Sequence, residues 1–290
     1  MSEFSGVVDE LYSARNLFYV GAYEQAINAL NALQVSNPEA AVERDVLLRR
    51  AQIAQGNADK VLSEVVAARV AADPFALAVR AWALCNAGRA NEGLNILNTI
   101  VTSGSAPSSP VFAILAALVM TSNGQPGEAV KHLVPYAGKD TECAALIIQA
   151  FLLLNRGDLA KKALQDAKGF DNAVVLQLAE AWIKLKTGGI AEANSAYYIF
   201  DELAQTTSMH TARLFNGMAV SKFHGGNYAE AKKYLLEALE RDPEDPDTLA
   251  NLIVHAGVTG TAADDKVDYI RYGRIKRRLD IQRYPEGDGY

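Results

Sequence analysis

Apolar side chains recur at i, i+4 and i+7 down successive segments of this chain, the spacing that lines one face of an α-helix. A glycine closes seven of these segments: Gly21, Gly56, Gly88, Gly124, Gly157, Gly188 and Gly226, spaced 35, 32, 36, 33, 31 and 38 residues apart. Seven residues before each glycine stand Ala14, Arg49, Ala81, Ala117, Ala150, Ala181 and Ala219, so six of the seven are alanine. Five residues after it stand Ala26, Val61, Gly93, Ala129, Lys162, Ala193 and Ala231, again mostly small. Two antiparallel helices approach closely only where small side chains face each other, and glycine turns the chain between them. The pattern predicts stacked helical hairpins.

A period near 34 residues with small residues at fixed offsets is the signature of a tetratricopeptide-type array. Two units are clear. Gly21-Ala22-Tyr23-Glu24-Gln25-Ala26 is followed by Leu30, Leu33 and Pro38, and Gly226-Asn227-Tyr228-Ala229-Glu230-Ala231 by Leu235, Ala238 and Pro243. In both the tyrosine is expected to wedge between the helices and the proline to end the second one. The intervening units decay. Around Gly157 the register shifts by one, with Ala163 as the small residue. Residues 102–110, rich in serine and proline, read as an enlarged turn between hairpins. A helix is expected over 247–256, a break over 257–261 and a last helix over 264–283. The fold class is all-α, a TPR-like α-solenoid of about seven helical hairpins plus C-terminal helices. The array spans residues 5–257, and 258–290 form a C-terminal helix and polar tail.

Positions ten, six and three before each glycine form a stripe down the first helix of each hairpin, and 17 of these 21 residues are apolar. In such arrays this stripe lines or borders the concave groove. The candidate partner-binding face is Arg15, Phe18, Arg50, Trp82, Leu118, Phe151, Trp182, Val220 and Phe223. For any single residue the plainer reading, packing on a neighbouring hairpin, is the favoured one. Two features favour a partner: both tryptophans, Trp82 and Trp182, fall at the same offset, and residues 111–120 and 144–154 are apolar on nearly every side.

Composition narrows the chemistry. The net charge of −6 and pI near 5.3 argue against nucleic acid as the main partner. Cys85 and Cys143 sit in apolar helical contexts and read as buried thiols of a reducing compartment. No secretory signal is read at the N-terminus, and the longest apolar runs are roughly half of the ~20 residues that cross a bilayer. A cytosolic protein is expected, with any membrane role routed through a partner. His132, His210, His224 and His255 are scattered, without metal-ligand spacing. No phosphate loop, nucleophile elbow or dinucleotide fingerprint is present. No catalytic, cofactor-binding or metal-binding residue is assigned, and no enzyme is expected. The acidic cluster Asp242, Glu244, Asp245 and Asp247 suits a solvated turn and helix cap. The basic run Arg271, Arg274, Lys276, Arg277 and Arg278 could meet acidic lipid or an acidic partner, but the balancing Asp264, Asp265, Asp268 and Asp280 favour a solvated helix face.

Further details resemble one family, the ε subunit of coatomer. They are Leu11-Tyr12 through Asn16-Leu17-Phe18-Tyr19-Val20-Gly21-Ala22-Tyr23, then Glu43-Arg44-Asp45-Val46, then Leu178-Ala179-Glu180-Ala181-Trp182 with Thr187-Gly188-Gly189 and Ala196-Tyr197-Tyr198-Ile199-Phe200. Asn216-Gly217 and Thr248-Leu249-Ala250-Asn251-Leu252-Ile253-Val254 extend the similarity, which runs from about residue 9 to 257. The resemblance implies a non-enzymatic helical array that holds the C-terminal domain of the coatomer α subunit, with no cofactor and no small-molecule substrate. It implies a protein that is cytoplasmic and peripheral on Golgi membranes and COPI-coated vesicles, reaching the membrane only within the assembled coat. The alternative from a different class is a co-chaperone-type adaptor capturing short acidic C-terminal peptides with a basic clamp. Only Arg15 and Arg50 offer positive charge on the stripe.

Overall fold

A computed structural model describes residues 9–67, 73–167, 169 and 173–260, with the side chains of 66 and 67 left undescribed. Among the described residues the regular structure is helical throughout, and the chain divides after Ala150 into two compact units. The helix expected over 264–283 lies outside the described residues.

The first unit is built from hairpins α1 (Tyr12–Tyr19) and α2 (Tyr23–Ala32), α3 (Pro38–Ala54) and α4 (Ala58–Ala67), α5 (Pro74–Asn86) and α6 (Ala90–Thr102), and α7 (Pro110–Ser122) and α8 (Pro126–Leu133). A 3₁₀ turn, Val134–Tyr136, leads into α9 (Thr141–Leu153), most of which closes this unit. The second unit contains α10 (Gly157–Asp166), α11 (Val174–Thr187) and α12 (Ile190–Thr207), α13 (Ala212–His224) and α14 (Tyr228–Arg241), and α15 (Pro246–Thr259). Helices pack on their sequence neighbours, and first helices also pack on the next first helix, α3 on α5, α5 on α7, α11 on α13 and α13 on α15. Such nearest-neighbour stacking defines a solenoid.

The hairpin seam is as tight as its small residues imply. A Cβ added to Gly93 on α6 would stand 2.4 Å from the carbonyl oxygen of Ala81 on α5 and 2.9 Å from Cys85 Sγ. Ala81 and Gly93 are the residues seven before and five after Gly88, so the motif marks the point of closest backbone approach. The second hairpin lacks this device. Arg49 replaces the alanine and pairs with Glu64 of α4, and a groove of about 330 Å³ opens between α3, α4 and α5.

Three readings are corrected. The fifth turn residue is Asn155, at φ 57°, and not Gly157, which begins α10. Asparagine tolerates the left-handed region because its short amide bonds locally. The small residue five positions on is therefore the fully buried Ala160, not Ala163, and the register shift is two residues. Nor does Pro38 end a helix: with Pro74, Pro110 and Pro246 it opens a first helix, behind the caps Asn37, Asp73, Ser109 and Asp245. Pro243 lies in the turn before Pro246 and is not its repeat equivalent. Finally, α15 runs through Gly257 to Thr259 and stops at Gly260, which is left-handed at φ 70°.

Candidate functional site

The first unit carries Arg15, Phe18, Arg50, Trp82 and Leu118. Leu11, Ala14, Leu30 and Leu47 form a buried cluster against which Phe18 packs. The Phe18 ring meets Tyr19 and Tyr23 at centroid distances of 5.9 and 5.7 Å, and the Arg50 guanidinium lies 4.9 Å above it. Arg50 is buried and grips Glu142 of α9: Nη1 donates to Oε2 at 3.2 Å and Nη2 pairs with Oε1. The Tyr19 hydroxyl donates to the same Oε2 at 3.0 Å. Residues 92 and 123 positions apart thus meet on one buried carboxylate.

Arg15 is half-buried and bonds Asp9 at 3.0 and 3.1 Å, while its Nε lies 2.7 Å from Glu43. Burial lowers the pKa of the Arg50 guanidinium, but Glu142 outweighs it, so the charge is firmly held. Burial also drives the Tyr19 phenol well above its ordinary value, reinforced by the adjacent Glu142 charge. Burial raises Glu43, opposed by Arg15. These groups enclose only about 20 Å³, no more than one water could occupy. Both stripe arginines are therefore committed to carboxylates of their own chain.

Trp82 and Leu118 are half-buried on α5 and α7. Around Leu118, Phe112 through Ala117, Val119 and Met120 are all buried. Cys85 and Cys143 are free, buried thiols. Burial raises both, Cys85 to about 11.

The second unit carries Phe151, Trp182, Val220 and Phe223. Phe151 is half-buried and stands four residues before Asn155, so in the corrected register the stripe position six before the turn is the exposed Gln149. Trp182 is 40% exposed on α11, braced edge-on by the buried Phe200 at 5.6 Å. Phe200 is seated on Gly217 of α13, where an added Cβ would lie 2.5 Å from the ring. Val220 is half-buried, and Phe223 packs against Tyr228 at 5.1 Å and His255 at 6.2 Å. Asn216, the polar exception on this stripe, is satisfied internally: its amide donates to Thr248 Oγ1 at 2.6 Å and Asp245 Oδ2 at 3.0 Å, and accepts from Asn251 at 3.0 Å. Asp245 also caps α15 through the Thr248 amide at 2.8 Å.

Pattern reading missed Glu142 and Tyr19 as partners of Arg50. The available signal was an acid opening the apolar helix α9 and an arginine on an otherwise apolar stripe, which calls for a compensating charge. Among the described residues no three histidine, cysteine or acidic side chains converge as a metal site, and no helix is long and apolar enough to cross a membrane.

Comparison with known proteins agrees with this architecture. A family model described as the coatomer epsilon subunit matches residues 7–276. Coatomer subunit epsilon-1 of Oryza sativa subsp. japonica is 36% identical over 247 residues, 85% of this chain and 83% of the relative. Coatomer subunit epsilon-1 of Arabidopsis thaliana is 36% identical over 248 residues, 85% and 82%. Coatomer subunit epsilon of Dictyostelium discoideum is 32% identical over 253 residues, 84% and 83%. Among solved structures, a tetratricopeptide repeat protein from Parabacteroides merdae aligns with a TM-score of 0.55 at 12% identity, covering 85% of this chain and 95% of that one. Another, the APC/C hetero-tetramer Cut9-Hcn1, aligns at 0.64 and 12% identity, covering 95% and 55%. At that identity they support the repeat fold alone. A family match over nearly the whole length, on a seamed helical array, places the chain in one family: it belongs to the coatomer epsilon subunits.

Proposed function

We propose that this protein is a non-enzymatic coatomer scaffold whose first-helix face holds the C-terminal domain of the coatomer α subunit, and that it thereby supports Golgi-to-ER retrograde and intra-Golgi transport. On this reading it is cytoplasmic, peripheral on Golgi membranes and COPI-coated vesicles, and reaches the membrane only within the assembled coat. Family membership supports assembly into the coat. The observation that carries the finer reading is Trp182, 40% exposed at a first-helix position yet packed edge-on against the buried Phe200. A large aromatic braced by its own chain and left open is the type of residue that anchors protein interfaces. The peptide-clamp alternative requires free inward cations, and Arg15 and Arg50 are already bonded to Asp9, Glu43 and Glu142.

Co-expression tests this directly. The chain and the C-terminal domain of the α subunit are expected to elute together from size exclusion as a stoichiometric complex. Separate elution at micromolar concentration would remove the proposed partner. Capture of free acidic C-terminal peptides by the isolated chain would favour the adaptor instead.

A further inference from the structure

The groove between α3, α4 and α5 opens where the repeat pattern fails. In the third hairpin Ala81 and Gly93 bring two helices into backbone contact, whereas the second carries Arg49 and Val61 at the same offsets. Arg49 donates to Gln52 Oε1 at 3.1 Å and pairs with Glu64 of α4. The space left is about 330 Å³, room for on the order of ten waters. Its lining is largely apolar: Val42 and Val46 of α3, Val65 of α4, and Phe75, Ala76 and Val79 of α5. Phe75 is itself braced edge-on by the buried Phe112 of α7, at a centroid distance of 6.4 Å. Arg50, Trp82 and the other residues of the candidate first-helix face are not among those that line it.

The charge around the groove is mostly negative. Among the described residues its charged side chains are Asp45, Glu64, Asp73 and Arg49, and Arg49 is taken up by Glu64. Asp45 accepts from the adjacent Arg44 at 2.8 and 3.0 Å, yet its side chain is 64% exposed. Asp73 is exposed and caps α5, accepting from the amides of Phe75 and Ala76 at 3.2 and 3.3 Å. A carboxylate has lone pairs for about four hydrogen bonds, so both keep acceptor capacity for an incoming cation.

A trough of this size, at the low end for ligand sites, suits one or two large side chains of a polypeptide. Seated on the apolar lining, such a segment gains from a cation beside Asp45 or Asp73 and is repelled if its neighbours are acidic. We infer that the groove is a docking site for a linear segment of another protein, in which one or two large aliphatic or aromatic side chains are flanked by lysine or arginine. The contact is small and of the transient class, and it is independent of the first-helix face.

Anisotropy titrations of the full chain with two short fluorescein-labelled peptides test this. One peptide carries a central Leu-Phe pair between lysines, and its twin has glutamates in their place. The lysine peptide should bind at least about tenfold more tightly, with a preference that shrinks as salt is raised. Ala76→Leu fills the groove and should weaken binding about tenfold or more, and Val42→Asn, at its exposed edge, about threefold or more. Asp45→Lys should bring the two peptides within about threefold of each other. Circular dichroism and thermal melts verify folding, and the two variants at exposed positions keep the test decisive if Ala76→Leu does not fold. Equal affinity of the two peptides overturns the proposal, as does failure of both to bind at about 1 mM. Lysine-peptide binding that survives Val42→Asn and a folded Ala76→Leu unchanged places it elsewhere and also overturns the proposal. Self-association of the native chain that Ala76→Leu or Val42→Asn dissolves would overturn it too, since a second copy would then occupy the groove.

Discussion

Glu142 holds two partners at once, and its removal should show how the first unit is tied together. With both side chains about nine-tenths buried, the Arg50–Glu142 pair owes its tolerance to mutual compensation. Glu142→Gln leaves the guanidinium uncompensated, and the expected loss in a urea titration is about 3–5 kcal/mol. Arg50→Met with Glu142→Leu should cost far less, because an apolar pair of similar volume removes both charges together. Equal losses in the single and double variants would show that the cluster does not act through charge compensation. A second prediction concerns pH. Cys85, Cys143, Tyr19 and Tyr234 are acids whose protons the folded chain holds more tightly than the unfolded chain, chiefly through burial. Below the ordinary thiol and phenol values of 9.0 and 10.0 both states are protonated and nothing is lost. Above them the unfolded chain releases protons that the folded chain retains, so stability must fall as pH rises toward about 11, where Cys85 itself titrates. Thermal melts from pH 8 to pH 10.5 should show a declining Tm, with a shallower decline in Cys85→Ala with Cys143→Ala. A flat profile would contradict this.

At the scale of the element, the seam between paired helices is the unit of construction. Gly93→Ala drives a methyl group against the Ala81 carbonyl, and overpacking of this kind costs about 1–3 kcal/mol. Denaturant unfolding checks it. Gly127→Ala, whose added Cβ meets nothing within 4 Å, is the control and should change stability little. A loss no larger than the control's would mean that backbone approach at Gly93 is not what the small residues protect. This seam is the part of the fold most legible from sequence, because close approach restricts residue type at fixed offsets along one chain. The exceptions are equally physical. Asn155 takes the left-handed turn that glycine occupies elsewhere, so a search for glycine alone selects Gly157 two residues late. Pro38 and Pro246 mark helix starts behind side-chain caps, whereas a proline taken by itself suggests a stop. The Arg50–Glu142–Tyr19 cluster is not legible, since periodicity reports which face a residue lies on but not which distant charges share that face.

The whole molecule distributes its exposed apolar surface unevenly. Of the large hydrophobic side chains left exposed among the described residues, Tyr12, Val42, Val101 and Val134 lie before Ala150, and the other ten lie after it, Trp182 among them. The first unit spends its stripe internally: Arg15 and Arg50 are ion-paired, and Phe18 is packed beneath Arg50. In the second, Phe223 is taken up by Tyr228 and His255, while Trp182 stays open. The tryptophan offset is therefore informative about candidates, but equal sequence positions do not receive equal exposure. Trp82 is half-buried and Trp182 is the more exposed of the two. The most direct test of the proposal that this chain holds the C-terminal domain of the α subunit is calorimetric titration of that domain into the native chain and into Trp82→Ala with Trp182→Ala. Loss of aromatic anchors at an interface costs about 2 kcal/mol or more, so the variant should bind at least about 30-fold more weakly while keeping its helical circular-dichroism spectrum. A folded double variant whose dissociation constant stays within about threefold of the native value would contradict the account.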